Sequence, residues 1–249
     1  MLGALRQAGW QMEEEPPGGR SGGPLSWLDS VKILELAAHD LNNMAQAALS
    51  YIDLAADPKT DAASRARFLA TAHEVVRRVS HFAPNLLSLL EARDGPVAGE
   101  PSGALSSELE AALAKRRSRF PESAVEVART GDAWAARARG GKLVALALYH
   151  LVDNAARFHR PGQPLQVAVE AVREGDLLRV AVGDRGRGFS PGQEAYAAAR
   201  FSEPGRVSGA GLGLATVRLV AERCGGSVEL GAAGEARGAR VVLRLPEAR

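Results

Sequence analysis

The chain of 249 residues contains a single cysteine, Cys224, so neither an intrachain disulfide nor a cysteine-based zinc cluster can be built from it. Aromatic residues make up only 5%, and neither charge dominates: 31 Lys and Arg stand against 29 Asp and Glu, a formal net charge of +2. A dedicated nucleic-acid binder usually shows a strong basic excess, so that class is set aside. Long apolar runs are missing too. The longest extends from Leu143 to Tyr149, far short of a membrane span, and the start, MLGALRQAGWQMEEE, lacks the apolar core of a signal peptide. These absences lead to the expectation of a cytoplasmic protein with no membrane insertion. What is present, 46% hydrophobic and 24% charged residues, is an ordinary folded composition with room for one large or two modest domains.

Organisation follows from punctuation and period. PPGGRSGGP (16–24) is almost all Gly and Pro, so residues 1–25 read as a flexible tail. From Trp27, apolar residues fall at Val31, Leu34, Ala38, Leu41, Ala45, Ala48, Ile52 and Ala55, alternating steps of four and three. DPKTDAA (57–63) supplies stop signals. A second repeat runs through Phe68, Ala72, Val75, Val79, Phe82, Leu86 and Leu89, with Pro84 expected to kink it. Two long helices with a short loop predict an antiparallel hairpin over 26–94, and an uncovered apolar seam calls for a second copy, a dimeric four-helix bundle. Packing of both helices on the rest of the same chain is the alternative.

RDGPVAGEPSG reads as a linker, placed at 95–104. The remainder, 105–249, alternates. Helices are predicted at 105–119, 140–158 and 211–224, and strands at 124–129, 133–137, 165–172, 177–184, 226–230 and 239–245. Glu174-Gly175 is the expected turn of one strand hairpin. The fold class is therefore α+β: a helical hairpin followed by a mixed sheet with about three helices on one side.

Three elements of this second unit carry chemistry. In LYHLVDNAARFH (148–159), His150 and Asn154 lie four apart, on one helical face. An amide oxygen suits Mg²⁺, which is usually shared with phosphates, and Arg157 and Phe158 offer positive charge and an aromatic face. In GDRGRGF (183–189), Asp184 ends a strand where its carboxylate can accept from an amino group, while Gly186 and Gly188 let backbone pass close to a ligand. In GAGLGLATV (209–217), Gly209, Gly211 and Gly213 open a helix whose free N–H groups suit a phosphate. Taken singly, each motif has an ordinary structural explanation.

Their order resembles the N-box, G1 and G2 motifs of the GHKL ATP-binding fold of sensor histidine kinases, gyrase B, heat-shock chaperone ATPases and mismatch-repair proteins. The upstream hairpin resembles the dimerisation and histidine-phosphotransfer domain of histidine kinases, with HDLNN (39–43) as its H-box. The resemblance implies that Asn154 binds Mg²⁺ and Asp184 the adenine amino group, that Arg157 and Phe158 flank the nucleotide, and that Gly186, Gly188, Gly209, Gly211 and Gly213 shape a lid over 189–208 anchored by Phe201. It also implies that His39 is phosphorylated, with Asp40 beside it to hold the imidazole and take its proton. Asn43, one turn on, would orient water. His150 stands where the family has its first N-box Asn, and Met44 where it has Pro. ATPases of the gyrase and chaperone type resemble one another in carrying a Glu four residues before the Mg²⁺-binding Asn. That position here is His150.

The leading expectation is an ATP- and Mg²⁺-dependent histidine kinase, homodimeric, that autophosphorylates His39. It passes the phosphoryl group to an aspartate of a separate response regulator, serves a separate sensor protein, and acts as phosphatase of its regulator. A GHKL ATPase, or a phosphotransfer scaffold with an inactive nucleotide domain, remains open as an alternative.

Overall fold

The computed structural model describes residues 27–94, 100–159, 165–186, 188, 212–232 and 238–248. The expected tail at 1–25, the lid at 189–208 with Phe201, and Gly209 and Gly211 lie outside them.

The hairpin consists of α1 (Trp27–Ala56) and α2 (Ala62–Asp94), and α2 runs through Pro84 without interruption. Its loop ties both helix ends. Asp61 caps α2 by accepting the Ser64 N–H at 3.0 Å, and Thr60 Oγ1 and Arg65 Nε donate to the Leu54 and Ala55 carbonyls at the end of α1. The α1 face turned inward carries Ala37, Leu41, Met44, Ala48, Tyr51 and Ala55. Against it lie Phe68, Ala72, Val75, Val79, Phe82, Leu86 and Leu89 of α2, the full expected set. Ala38, Ala45 and Ile52 of the expected α1 seam are instead exposed. A single partner helix covers only one side of an apolar stripe, and here the covered side is one residue earlier.

The expectation that nothing else in the chain covers the hairpin is corrected. Phe82, Asn85, Ser88, Leu89 and Ala92 repeat on one face of the C-terminal half of α2 and are buried, and the apolar ones join the core of the second unit. That unit runs β1 (Pro101–Ala104), α3 (Leu105–Arg119), β2 (Glu126–Thr130), β3 (Arg137–Arg139), α4 (Leu143–Arg157), β4 (Gln166–Glu174), β5 (Leu177–Asp184), α5 (Leu212–Arg223), β6 (Ser227–Ala232) and β7 (Ala239–Pro246). β1 lies in the stretch read as linker. It pairs with β3 because Ser102 Oγ accepts the Ala138 N–H at 3.0 Å. The strand expected at 133–137 starts only at Arg137, since Ala133 to Ala136 close a turn.

Five strands form one sheet in the order β2-β4-β5-β7-β6. β2 is parallel to β4 and all other pairs are antiparallel. The β4–β5 turn is Gly175-Asp176, one residue later than expected, because Glu174 still pairs with Leu177. One face carries Val167, Val169, Ala171, Leu178, Val180, Val182, Val241, Leu243 and Leu245, all buried, the period-two alternation of a half-covered sheet. The opposite face carries Arg and Glu in alternation: Glu170 and Glu174 pair with Arg179, Arg240 and Arg244. Such exposed pairs add solubility more than stability.

Leu243 sits fully buried on a central strand. Leu243→Ala is expected to lower the unfolding free energy by about 2–5 kcal/mol, read as a reduced midpoint with unchanged slope in urea.

Candidate functional site

Helix α4 holds the central position of the site. Of its residues, Leu143, Val144, Leu146 to Asp153 and Ala155 are all buried, so it is covered on every side, as a helix apolar all round must be. The buried His150 and Asp153 and the sealed amide nitrogen of the half-buried Asn154 each have a distinct environment. His150 is 1% exposed, and burial pulls its pKa down to about 3, with Lys115 and Arg119 adding to the effect. It is a neutral imidazole at any physiological pH. Asp153 faces the guanidinium of Arg116 at 3.7 Å, both nearly sealed from solvent. Arg116 also donates to the Ser123 carbonyl and hydroxyl, and Arg119 donates to the Tyr149 hydroxyl at 2.9 Å. Helix α3 is thereby clamped onto α4.

Asn154 completes the set. A Cβ built on Gly213, in the first turn of α5, would lie 3.3 Å from His150 Nδ1, 3.4 Å from Asn154 Oδ1 and 3.5 Å from Asn154 Nδ2. The expected His150–Asn154 face thus converges on the start of α5, where N–H groups without intrahelical partners favour anions. Asn154 Nδ2 and His150 Nε2 are buried without a hydrogen-bond partner. Buried polar atoms are normally paired, so an orphaned amide beside a helix N-terminus points to a group held there.

Asp184 ends β5. Its Oδ1 accepts the Gly186 N–H at 2.7 Å and the Ala239 N–H at 3.1 Å, which fixes the carboxylate and leaves its other oxygen available to an external donor. A Cβ at Gly186 would collide with the Phe158 carbonyl and come within 2.9 Å of Asp184 Oδ1. Only glycine fits, and the close approach links the end of β5 to the end of α4. Gly188 has a φ of +68°. Phe158 is 43% exposed with the Arg157 guanidinium 5.5 Å over its ring. Arg157 itself is half-buried. Its charge is opposed chiefly by burial and supported by Asp153, and from α2 it feels Arg78 and Arg77 against it and Glu74 in its favour, so it turns toward the hairpin.

These features match a known family. Residues 141–249 match the family described as "Histidine kinase-, DNA gyrase B-, and HSP90-like ATPase". That match takes in 109 of the 249 residues. The sensor protein KdpD of Escherichia coli K12 is 33% identical over 91 residues, which are 35% of this chain and 10% of that one, so the match spans about a tenth of its relative. The Acinetobacter baumannii histidine kinase AdeS superposes with a TM-score of 0.54 at 14% identity, covering 85% of this chain and 98% of that one. Full-length ShkA, solved in complex with AMPPNP, gives 0.51 at 20% identity, covering 88% and 46%. At those identities the structural likeness speaks for fold.

This unit gathers His150, Asn154 and Gly213 at one point and Asp184, Gly186 and Phe158 at another. His39 belongs to neither. It lies on α1, its side chain 71% exposed, with Nδ1 3.1 Å from Asn43 Nδ2 and 4.0 Å from Asp40. Turning the Asn43 amide so that its oxygen faces the ring is a rotation of equal shape. In that orientation the Asn43 oxygen can accept from Nδ1–H, while Asp40 at 4.0 Å stands beyond hydrogen-bond reach. Arg116, Arg119 and Asp153 were not singled out from the sequence. The signal was present for Arg116, since Leu105, Leu109, Ala112 and Arg116 step four, three and four along the buried face of α3.

Two outcomes follow from this geometry. Gly186→Ala is expected to displace either the end of α4 or the Asp184 carboxylate and to weaken nucleotide binding at least tenfold in calorimetric titration. His150→Asn removes a base whose folded pKa lies below its unfolded value. The native wild type binds fewer protons than its unfolded chain, so it loses stability relative to the variant as pH falls below 6.5 toward about 3, at up to about 1.4 kcal/mol per pH unit. Urea unfolding of both proteins at stepped pH checks this.

Proposed function

We propose that the chain is an ATP-dependent protein histidine kinase that phosphorylates its own His39. The observation that carries this reading is the buried, neutral imidazole of His150 four residues before Asn154. A water-activating carboxylate is absent from that position, so the ATPase domain positions a phosphoryl donor more readily than it hydrolyses one. His39, exposed and beside Asp40 and Asn43, supplies the missing nucleophile. Its Nε2 lone pair attacks the γ-phosphorus of ATP. The bond to the β–γ bridging oxygen breaks and ADP leaves with that electron pair, while Asn43, beside Asp40, holds the Nδ1 proton.

Asn154 fits a magnesium ion by its amide oxygen, Asp184 fits the adenine amino group by its open oxygen, and the N-terminus of α5 at Gly213 fits the phosphates. Gly188, Gly209 and Gly211 belong to the segments that would close over the nucleotide, and Arg157 and Phe158 border it. A bound magnesium ion would neutralise charge developing on the triphosphate. In the second half of the cycle an aspartate oxygen of a separate response regulator attacks the phosphorus. The P–N bond breaks and its electrons return to Nε2. Asn43 then orients a water for dephosphorylation of that regulator. The exposed row of Ala38, Ala45, Leu49 and Ile52 on α1 supports a homodimer, since a second hairpin would cover it. A separate sensor protein supplies the input, and the reading places the protein in the cytoplasm.

Incubation with γ-labelled ATP and Mg²⁺ is expected to give an acid-labile, alkali-stable label on wild type. His39→Gln should carry none while binding nucleotide as tightly as wild type. Labelling of that variant at the wild-type rate would assign the phosphate to another residue. Phosphate release without any phosphoprotein would make the chain an ATPase, and absence of nucleotide binding would make it a scaffold.

A further inference from the structure

The face of α2 that lies against the second unit carries a histidine that the catalytic reading does not use. The ring of His81 stacks on Phe120, just beyond α3, with centroids 4.9 Å apart and planes 23° from parallel. The Arg116 and Arg119 guanidiniums lie 5.6 and 5.2 Å from the centroid of that same phenyl ring. Arg119 bridges the two units, donating to the Ser80 carbonyl of α2 at 3.1 Å and to the Tyr149 hydroxyl of α4 at 2.9 Å. At the far end of the face, Arg223 of α5 donates to the Ala92 carbonyl. Between these polar ties lie the buried Phe82, Leu89 and Ala92.

We propose that this interface is an acid-sensitive latch, held closed by neutral His81 and opened when that imidazole takes up a proton. Three cations oppose protonation of the ring, against the Asp153 carboxylate and the π face of Phe120. Arg77 on its own helix, Arg119 on α3 and Arg157 on α4 are all cationic. The one anion facing it, Asp153, is already engaged with Arg116. His81 Nδ1 is buried without a hydrogen-bond partner, so a proton placed there has no acceptor to receive it. Burial is the largest of the effects that lower the pKa of His81 below 6.5. The closed state therefore binds fewer protons than the open one. Its population falls as pH drops below the ordinary histidine range, by at most about tenfold per pH unit for a single proton. Opening also takes Arg157 away from Arg78, Glu74 and Arg77 of α2 and frees the second unit to move along the hairpin. The latch does not depend on the kinase reading, because it concerns only how the two units sit against each other.

The test uses the full chain with Cys224→Ser, spin labels at Lys59→Cys and Glu122→Cys, both exposed positions, and an excess of unlabelled protein so that only distances within one chain are read. Pulsed dipolar spectroscopy is expected to give one narrow distance at pH 8 and a broad, longer component that grows several-fold by pH 5.5. His81→Phe and His81→Gln, uncharged throughout, should stay narrow at both pH values, and His81→Lys should be broad at both. Arg119→Gln should open at higher pH than wild type yet keep its acid response. A wild-type distance unchanged between the two pH values would overturn the proposal. So would acid opening of both uncharged variants at the wild-type midpoint, since another group would then be the trigger. Uncharged variants already open at pH 8 would overturn it too, by showing that the imidazole ring itself holds the contact whatever its charge.

Discussion

Enclosure of α4 is the constraint on which the remaining structure rests. A helix covered on every side can keep polar residues only if each is neutral, paired or waiting for a ligand, because an uncompensated buried polar group costs several kcal/mol. His150, Asp153 and Asn154 divide these solutions among themselves. His150 is held neutral, Asp153 is paired with Arg116, and Asn154 keeps an orphaned amide beside the opening turn of α5. The sheet below and the helices α3 and α5 on either side are arranged around that one buried rod.

The hairpin obeys a different rule. Its two helices have more apolar surface than one partner can cover, and the surplus divides by position. Toward the loop, Leu49, Ile52, Leu54 and Leu69 stay exposed. Away from the loop, α2 turns Phe82, Leu89 and Ala92 into the core of the second unit and leaves Leu87 exposed. The same helix thus serves as bundle element at one end and as docking face at the other, and Pro84 falls within the docked part.

Legibility in the sequence tracked how local the cause of each feature was. Helices α1 to α5 and the four strands of the two antiparallel hairpins follow from their own periodicity, and the α3 bounds, Leu105–Arg119, agree to the residue. β1 escaped because Gly and Pro around Pro101 read as linker, while its strand geometry comes from β3, more than thirty residues away. Ala133 to Ala136 misled in the opposite sense, as small apolar residues in a turn imitate a strand. At the site, Asn154, Asp184, Gly186 and Gly213 were legible because their motifs are short and contiguous. The Arg116–Asp153 pair and the His81–Phe120 stack were not, since each joins elements whose meeting only the tertiary structure decides. The shift of the α1 seam from Ala38 to Ala37 has the same origin: period marks a stripe, but the partner chooses its edge.

The parallel pairing of β2 with β4 has a consequence for how the chain folds. β4 and β5 are two residues apart in sequence and β6 and β7 six, whereas β2 reaches β4 only through a crossover that includes β3 and α4. Closing that loop is entropically costly until α4 has settled on the sheet. The edge strand β2 and the central rod are thus coupled through one long loop, so loss of either weakens the hold on the other.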